Sequence, residues 1–377
     1  MTPRPPLRRR DWQELRRRLV RHLFAQLAGV SATSSTPLPA HGIGRILVIR
    51  PNHRLGNVVL LTPLLADLER AYPGARIDLL VSGGIAAQAL ADGYRIDTLH
   101  MLPRHALREP RRLWRTLRHL RAVRYDLAID PSVGSQSGRL LLLFARARFR
   151  LGFAEAGQRG RLTHGVPMPT TPRHMAQLPV YLLRAARGEP FAATRCPPLD
   201  LRLSATERAQ GEIELQRRLG PRHAGQARIG LFAEATGAKA FPIAWWQTLH
   251  AALARRWPSA AFFELVPVDG RPRLAGIATH FHSPDVRKAA AVLAGLDRFI
   301  SADCGVMHLA VASGVPTAAL FSVTDPATYA PCGDGHFALE IRDQQAAPDV
   351  VSALAARCEP LRPAEARADA GPADQSG

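Results

Sequence analysis

Short apolar segments that read as strands alternate with helical patterns in two successive blocks. No other feature limits the fold of this chain as severely. In the first block residues 45–50 (RILVIR) read as a strand, 57–71 as a helix with one apolar face, and 76–81 as a second strand. Helices near 85–91, 111–121, 138–147 and 174–186 follow, with strands at 96–100 and 126–130 (DLAID) among them. The second block has strands at 228–233, 261–266, 298–301 and 317–321, and helices at 243–257, 286–296 and 305–313. Parallel strands need crossover connections, usually helices that cover both faces of the sheet. The expected fold is therefore α/β, with two Rossmann-like doubly wound domains facing each other across a cleft. A length of 377 residues suits two such domains.

Residues 45–190 form the expected N-terminal domain and 200–345 the C-terminal one, joined by a Pro- and Gly-containing linker at 187–199 (RGEPFAATRCPPL). Residues 346–377 are a C-terminal segment whose end, rich in Ala, Pro, Glu and Asp, is expected to be disordered. Residues 1–44 stand apart. Trp12, Leu15, Leu19, Leu23 and Leu27 recur at helical spacing among arginines, and a Ser/Thr/Pro linker follows. This basic amphipathic helix suits an anionic membrane surface or packing against the domain, and both readings stay open. Arg21 and His22 interrupt the apolar stretch, which argues against a secretory signal.

No apolar run reaches the ~18 residues needed to span a bilayer. Cys196, Cys304, Cys332 and Cys358 lie far apart, which excludes a disulfide-dense scaffold or a Cys-rich zinc module and points to a reducing compartment. The formal charge is +19, yet among fifty basic residues only Lys239 and Lys288 are lysines. Such a bias reflects base composition more than a nucleic-acid partner, and no nucleic-acid recognition motif accompanies it. The positive field favours anionic substrates.

In doubly wound sheets ligands bind beyond the carboxyl ends of the strands. Four turns there carry chemistry. In Arg50-Pro51-Asn52-His53-Arg54-Leu55-Gly56-Asn57, a glycine permits close backbone approach beside Arg50, His53 and Arg54. The turn reads as an anion site or as an ordinary turn capped by Asn57. Glu234-Ala235-Thr236-Gly237-Ala238-Lys239 offers a compact ammonium that suits a diphosphate, the plain alternative being an exposed lysine. Ser301-Ala302-Asp303-Cys304-Gly305-Val306-Met307-His308 ends a strand and opens a helix. The N–H groups of Cys304, Gly305 and Val306 would cradle a diphosphate without a metal. A Cys304–His308 nucleophile pair is the sharper alternative, although no third group to orient it is visible. His308 reads equally as a core histidine or a ligand contact. Thr324, in the fourth turn, would donate to a phosphate. A weaker candidate, Asp269, would hold ribose hydroxyls.

Taken in order, RILVIRPNHRLGNVVLLTPLLADLERAYPGARI, YDLAIDPSVGSQSGRLLL, GLFAEATGAKAFPIAWW and FISADCGVMHLAVASGVPTAALFSVTDP resemble glycosyltransferase family nine, the ADP-heptose:lipopolysaccharide heptosyltransferases. The resemblance runs over residues 45–335 and is most specific in the last segment. It implies a GT-B fold and inverting, metal-independent transfer of a heptose from ADP-heptose to an acidic, lipid-linked lipopolysaccharide-core acceptor. It implies no resident cofactor and a cytoplasmic location at the periphery of the inner membrane. On this reading Thr236, Lys239, Asp269, Asp303, Cys304, Gly305, His308 and Thr324 bind the donor. Arg50, Arg54 and Gly56 hold the acceptor.

One position departs from the family pattern. The family commonly has an aspartate, taken as the general base, where this chain has Asn57. An amide cannot accept the proton, and losing a general base costs roughly 10²- to 10⁴-fold. Three readings follow. His53 or Asp130 serves as base; Asn57 only orients the acceptor; or the chain binds a nucleotide sugar without transferring it.

Overall fold

β1 (Arg45–Arg50), β2 (Arg76–Ser82), β3 (Ile96–Leu102), β4 (Arg124–Asp130), β5 (Arg146–Ala154) and β6 (His164–Pro167) form a six-stranded sheet in the order β3-β2-β1-β4-β5-β6. β7 (Arg228–Phe232), β8 (Ala261–Leu265), β9 (Thr279–Phe281), β10 (Arg298–Ala302), β11 (Thr317–Phe321) and β12 (Phe337–Glu340) form a second, in the order β12-β11-β10-β7-β8-β9. Every neighbouring pair is parallel. Counted from its own first strand, each sheet has the order 3-2-1-4-5-6, so the molecule carries two doubly wound halves of the GT-B type. This computed structural model describes residues 36–104, 108–154, 162–341 and 347–358. The basic helix expected within residues 1–44 and the tail 359–377 lie outside them, apart from the linker from residue 36 onward.

The central strands were readable because helices cover both faces. Ile46, Leu47, Val48 and Ile49 of β1 are all fully buried, so the strand is an unbroken apolar run rather than an alternating one. The structure adds elements and moves some boundaries. The helix expected over 57–71 is two, Leu55–Val59 and Thr62–Ala71. Pro63 lacks the N–H that would continue the ladder and sits instead in the first turn of the second helix. The helix expected over 138–147 is Gln136–Phe144, and Arg146 already belongs to β5. The helix expected over 174–186 begins at Leu178, with Pro179 in its first turn. Helix Ala205–Leu219 has a capping box in which Ser204 and Glu207 satisfy each other's backbone amides. Helix Ala347–Cys358 packs Val350, Val351 and Leu354 against the second sheet.

One apolar cluster joins the two halves. It runs from Val58, Leu64 and Leu183 through Leu199, Leu201 and Leu203 to Leu293 and Val311. The crossing segment is bonded to both sides. The Tyr94 hydroxyl donates to the Asp200 carbonyl (2.8 Å), and the Leu201 amide donates to the Ala312 carbonyl (2.9 Å). The Arg287 guanidinium donates to the Ala89 carbonyl (2.9 Å) in the first half and pairs with Glu207 (2.6 Å) in the second.

Candidate active site

Strand order reverses between β1 and β4 in the first sheet and between β7 and β10 in the second. Crevices open at the carboxyl ends of such strand pairs. Arg50 ends β1 and Asp130 ends β4; Lys239 lies in the turn after β7 and Asp303 directly follows β10. Each switch point thus carries one basic and one acidic side chain.

At the first, Arg50 is 8% exposed and its Nη2 donates to Asn57 Oδ1 at 3.3 Å. Burial lowers the Arg50 pKa, while the charges of Asp130 and Tyr329 work the other way. With Oδ1 engaged, the Asn57 amide nitrogen is left to donate. Asp130 is 1% exposed and accepts the Ser132 amide at 3.1 Å. Among the described residues its Oδ2 has no partner. Burial pushes its pKa up to about 6, against the Ser132 hydrogen bonds and the charges of Arg139 and Arg50. A Cβ at Gly138 would come within 2.6 Å of this carboxylate, so the helix start can close over it only with glycine there.

Asp130 therefore disfavours the folded state once ionised. Its folded pKa lies above the ordinary 3.8, so its relative stabilisation is complete below about pH 4 and is lost as pH rises through about 6. Asp130→Asn is expected to raise the melting temperature at pH 7, by the equivalent of about 3 kcal/mol at most. The gap should be absent near pH 4 and level off above pH 6. Melting curves of the two proteins that stay parallel across this range would contradict it.

At the second switch point, Lys239 Nζ lies 2.6 Å from Asp303 Oδ2, and Thr324 Oγ1 donates to the same oxygen. The Asp303 side chain is buried and Lys239 partly so. Gly237 takes the left-handed backbone (φ +66°) that turns the chain back toward Asp303. Cys304 precedes helix Gly305–Ser313, and its thiol lies 3.4 Å from the Ser301 hydroxyl. Burial raises the Cys304 thiol pKa, and burial also pushes His308 down to about 4. Both groups are neutral near pH 7, which argues against a thiolate–imidazolium pair. His308 is 4% exposed, and among the described residues its Nδ1 has no partner.

The two switch points meet through glycine. A Cβ on Gly56 would lie 3.0 Å from Gly305 Cα and 3.0 Å from His308 Cδ2. One on Gly305 would lie 3.0 Å from the Gly56 nitrogen. Helix Leu55–Val59 and helix Gly305–Ser313 therefore touch backbone to backbone. Nearby, His174 Nδ1 accepts the Ala176 amide, so Nε2 carries the proton that it donates to the Ala330 carbonyl at 2.8 Å. The Met175 amide donates to the Thr328 carbonyl at 3.0 Å. These bonds tie the first half to the loop holding Tyr329, whose ring centroid lies 5.8 Å from Lys239 Nζ.

The sequence candidates thus fall into three contacting sets: Arg50 with Asn57 and, by charge, Asp130; Gly56 with Gly305 and His308; Lys239 with Asp303 and Thr324. His53, Arg54 and Thr236 are exposed. Asp269 is bound by Arg273 (2.8 Å), which also holds Glu234 (2.7 Å). Buried Glu264 accepts the amides of Arg273 (2.6 Å) and Leu274 (3.0 Å) and fixes that loop. Tyr329, His174 and Glu264 were not among the candidates, and none sits in a turn motif that would mark it. A cavity of about 350 Å³ lined by Phe321, Ser322, Thr324, Asp325, Glu340 and Ile341 opens beside Thr324. Among the described residues no helix is long and apolar enough to cross a membrane, and no group of three His, Cys, Asp or Glu side chains stands ready for a metal ion.

Residues 112–357 match the family described as glycosyltransferase family 9 (heptosyltransferase). The chain is 27% identical over 312 residues to lipopolysaccharide heptosyltransferase 1 of Pseudomonas aeruginosa, covering 75% of this chain and 79% of that protein. The fold is similar to that of the glycosyl transferase family 9 protein from Veillonella parvula, with a TM-score of 0.67, 19% identity and coverage of 86% and 91%. It is also similar to E. coli heptosyltransferase WaaC with ADP, with a TM-score of 0.61, 20% identity and coverage of 83% and 99%.

Proposed function

This chain belongs to glycosyltransferase family 9, and from that premise we propose that it transfers a heptose from ADP-heptose to a lipopolysaccharide-core acceptor, with inversion and without a metal. The observation that carries the reading is the Lys239–Asp303–Thr324 cluster at the β7/β10 switch point, beside the amino end of helix Gly305–Ser313. A departing diphosphate needs donors placed before it leaves. Lys239 would supply an ammonium, held by Asp303, and the Thr324 hydroxyl would donate on turning away from Asp303. The Cys304 and Gly305 amides at the helix start would meet the phosphate oxygens. Charge-assisted bonds of this kind are worth ~1.5 to 3 kcal/mol each.

The N-terminal half would hold the acidic acceptor through Arg50 and Arg54. Asn57, its carbonyl oxygen taken by Arg50, would orient the acceptor hydroxyl rather than deprotonate it. Asp130 is too buried to touch a substrate. His53, exposed in the turn after β1, is then the base of this reading.

The test is to incubate the full chain with ADP-heptose and a heptose-deficient core in the presence of EDTA, following ADP release and acceptor mass. A heptose-sized gain is expected. His53→Ala is expected to lower turnover about 10²-fold or more, and Asn57→Asp added to it to restore part of the loss by supplying a carboxylate. A His53→Ala protein with unchanged turnover removes His53 from the mechanism. No mass gain despite bound ADP-heptose removes this acceptor.

A further inference from the structure

We infer that the outer face of helix Pro110–Ala122 docks on an anionic lipid surface. The helix packs on the first sheet through buried Leu120 and partly buried Leu113 and Leu117. Its other side faces water. Arg111, Arg115 and Arg118, spaced by four and three residues, form one stripe, and Trp114, Arg118 and Arg121 form the adjoining one. Trp114 is 66% exposed. Across residues 101–125 eight arginines face a single carboxylate before Asp126, Glu109, and Arg112 already holds it at 2.7 Å.

Two features separate this face from an ordinary solvated one. An indole left in water beside guanidiniums gains nothing there, whereas at headgroup depth its ring meets acyl carbon while the arginines meet phosphate. Duplex nucleic acid would use the same arginines but offers an exposed indole no comparable burial. The face also has a position that suits a lipid-linked substrate. The helix starts just after the carboxyl end of β3, the edge of the sheet at which Arg50 and Asp130 also lie. A surface met there would stand beside the acceptor side of the cleft. The value of that position rests on the proposed acceptor, whereas the charge and the exposed indole do not, and the helix is a different element from the basic segment within residues 1–44.

The experiment is flotation of the full chain with vesicles of phosphatidylcholine carrying about one-third phosphatidylglycerol, compared with phosphatidylcholine alone. A basic residue at such a surface contributes about fivefold to partition. Replacing Arg111, Arg115 and Arg118 together by Gln is expected to weaken partition to the anionic vesicles roughly 100-fold, with an unchanged melting temperature. Lipids brominated along the acyl chain are expected to quench tryptophan emission, and Trp114→Phe to remove most of that quenching. Unchanged partition of the triple variant overturns the inference, because binding then resides elsewhere, residues 1–44 included. Loss of duplex-DNA binding with vesicle partition intact overturns it equally, in favour of a nucleic-acid face.

Discussion

Alanine at position 239 is expected to lower turnover by about 10²- to 10³-fold, the usual loss when one preorganised donor to a developing negative charge is removed. Lys239 is poised rather than free. Its ammonium rests 2.6 Å from Asp303, and the same carboxylate receives the Thr324 hydroxyl. Truncation therefore does two things. On the proposed reading it removes a cation from the path of the diphosphate, and it leaves a buried carboxylate with a hydroxyl as its main remaining partner. The first effect should appear as weaker ADP-heptose binding in calorimetry. The second should appear as a melting temperature below that of the parent, because a buried carboxylate loses its charged partner. Lys239→Arg keeps the charge but replaces a compact ammonium with a planar fork, so partial recovery is expected. Unchanged turnover together with unchanged donor affinity would sink the donor assignment.

Valine at position 305 is expected to reduce turnover about 10²-fold or more while leaving far-ultraviolet circular dichroism intact. A Cβ at Gly305 already comes within 3.0 Å of the Gly56 backbone nitrogen, and backbone cannot swing aside as a flexible side chain can. Valine adds two further carbons, so the helices must part. Arg50 and Asn57, which the proposed reading puts on the acceptor side, would then move away from Lys239 and Asp303. A misplacement of about 1 Å can cost about 10²-fold in such a reaction. Small-angle scattering should show a larger radius for the variant. Parent-like turnover in Gly305→Val would show that the glycine contact is not kept during catalysis.

Much of this architecture is legible in the residues, for a physical reason. β1, β10 and β11 are buried on both faces and are therefore mostly apolar, without strict alternation, between turns. β6, β9 and β12 are edge or near-edge strands of three or four residues, too short to show a period. β5 hides differently. Its RARFRLGFA alternates arginine with apolar residues and follows directly on a helical run, so the helix reads as if it continued. Helix Ala205–Leu219 was not among the expected elements; Ser204 and Glu207 form the capping box at its start. Lys239, Asp303 and Thr324 each sit in a turn after a strand, and each was a candidate alone. That one carboxylate joins them was not visible, since 64 and 21 residues of chain separate the partners. His174 reaches Ala330, beside Tyr329, only because the first half grips the segment after β11.

The apolar seam through Leu199, Leu201 and Leu203 has a consequence for how such a chain can change. Two sheets of identical order invite the thought of two exchangeable modules. The seam denies it. Cutting there would bare Leu64 and Leu183 on one side and Leu293 and Val311 on the other, and would strip Arg287 of its carbonyl partner at Ala89. A half taken from a relative would have to match that surface before it could match any sugar. Changing the turns at the strand ends leaves that seam untouched, whereas exchanging a half does not.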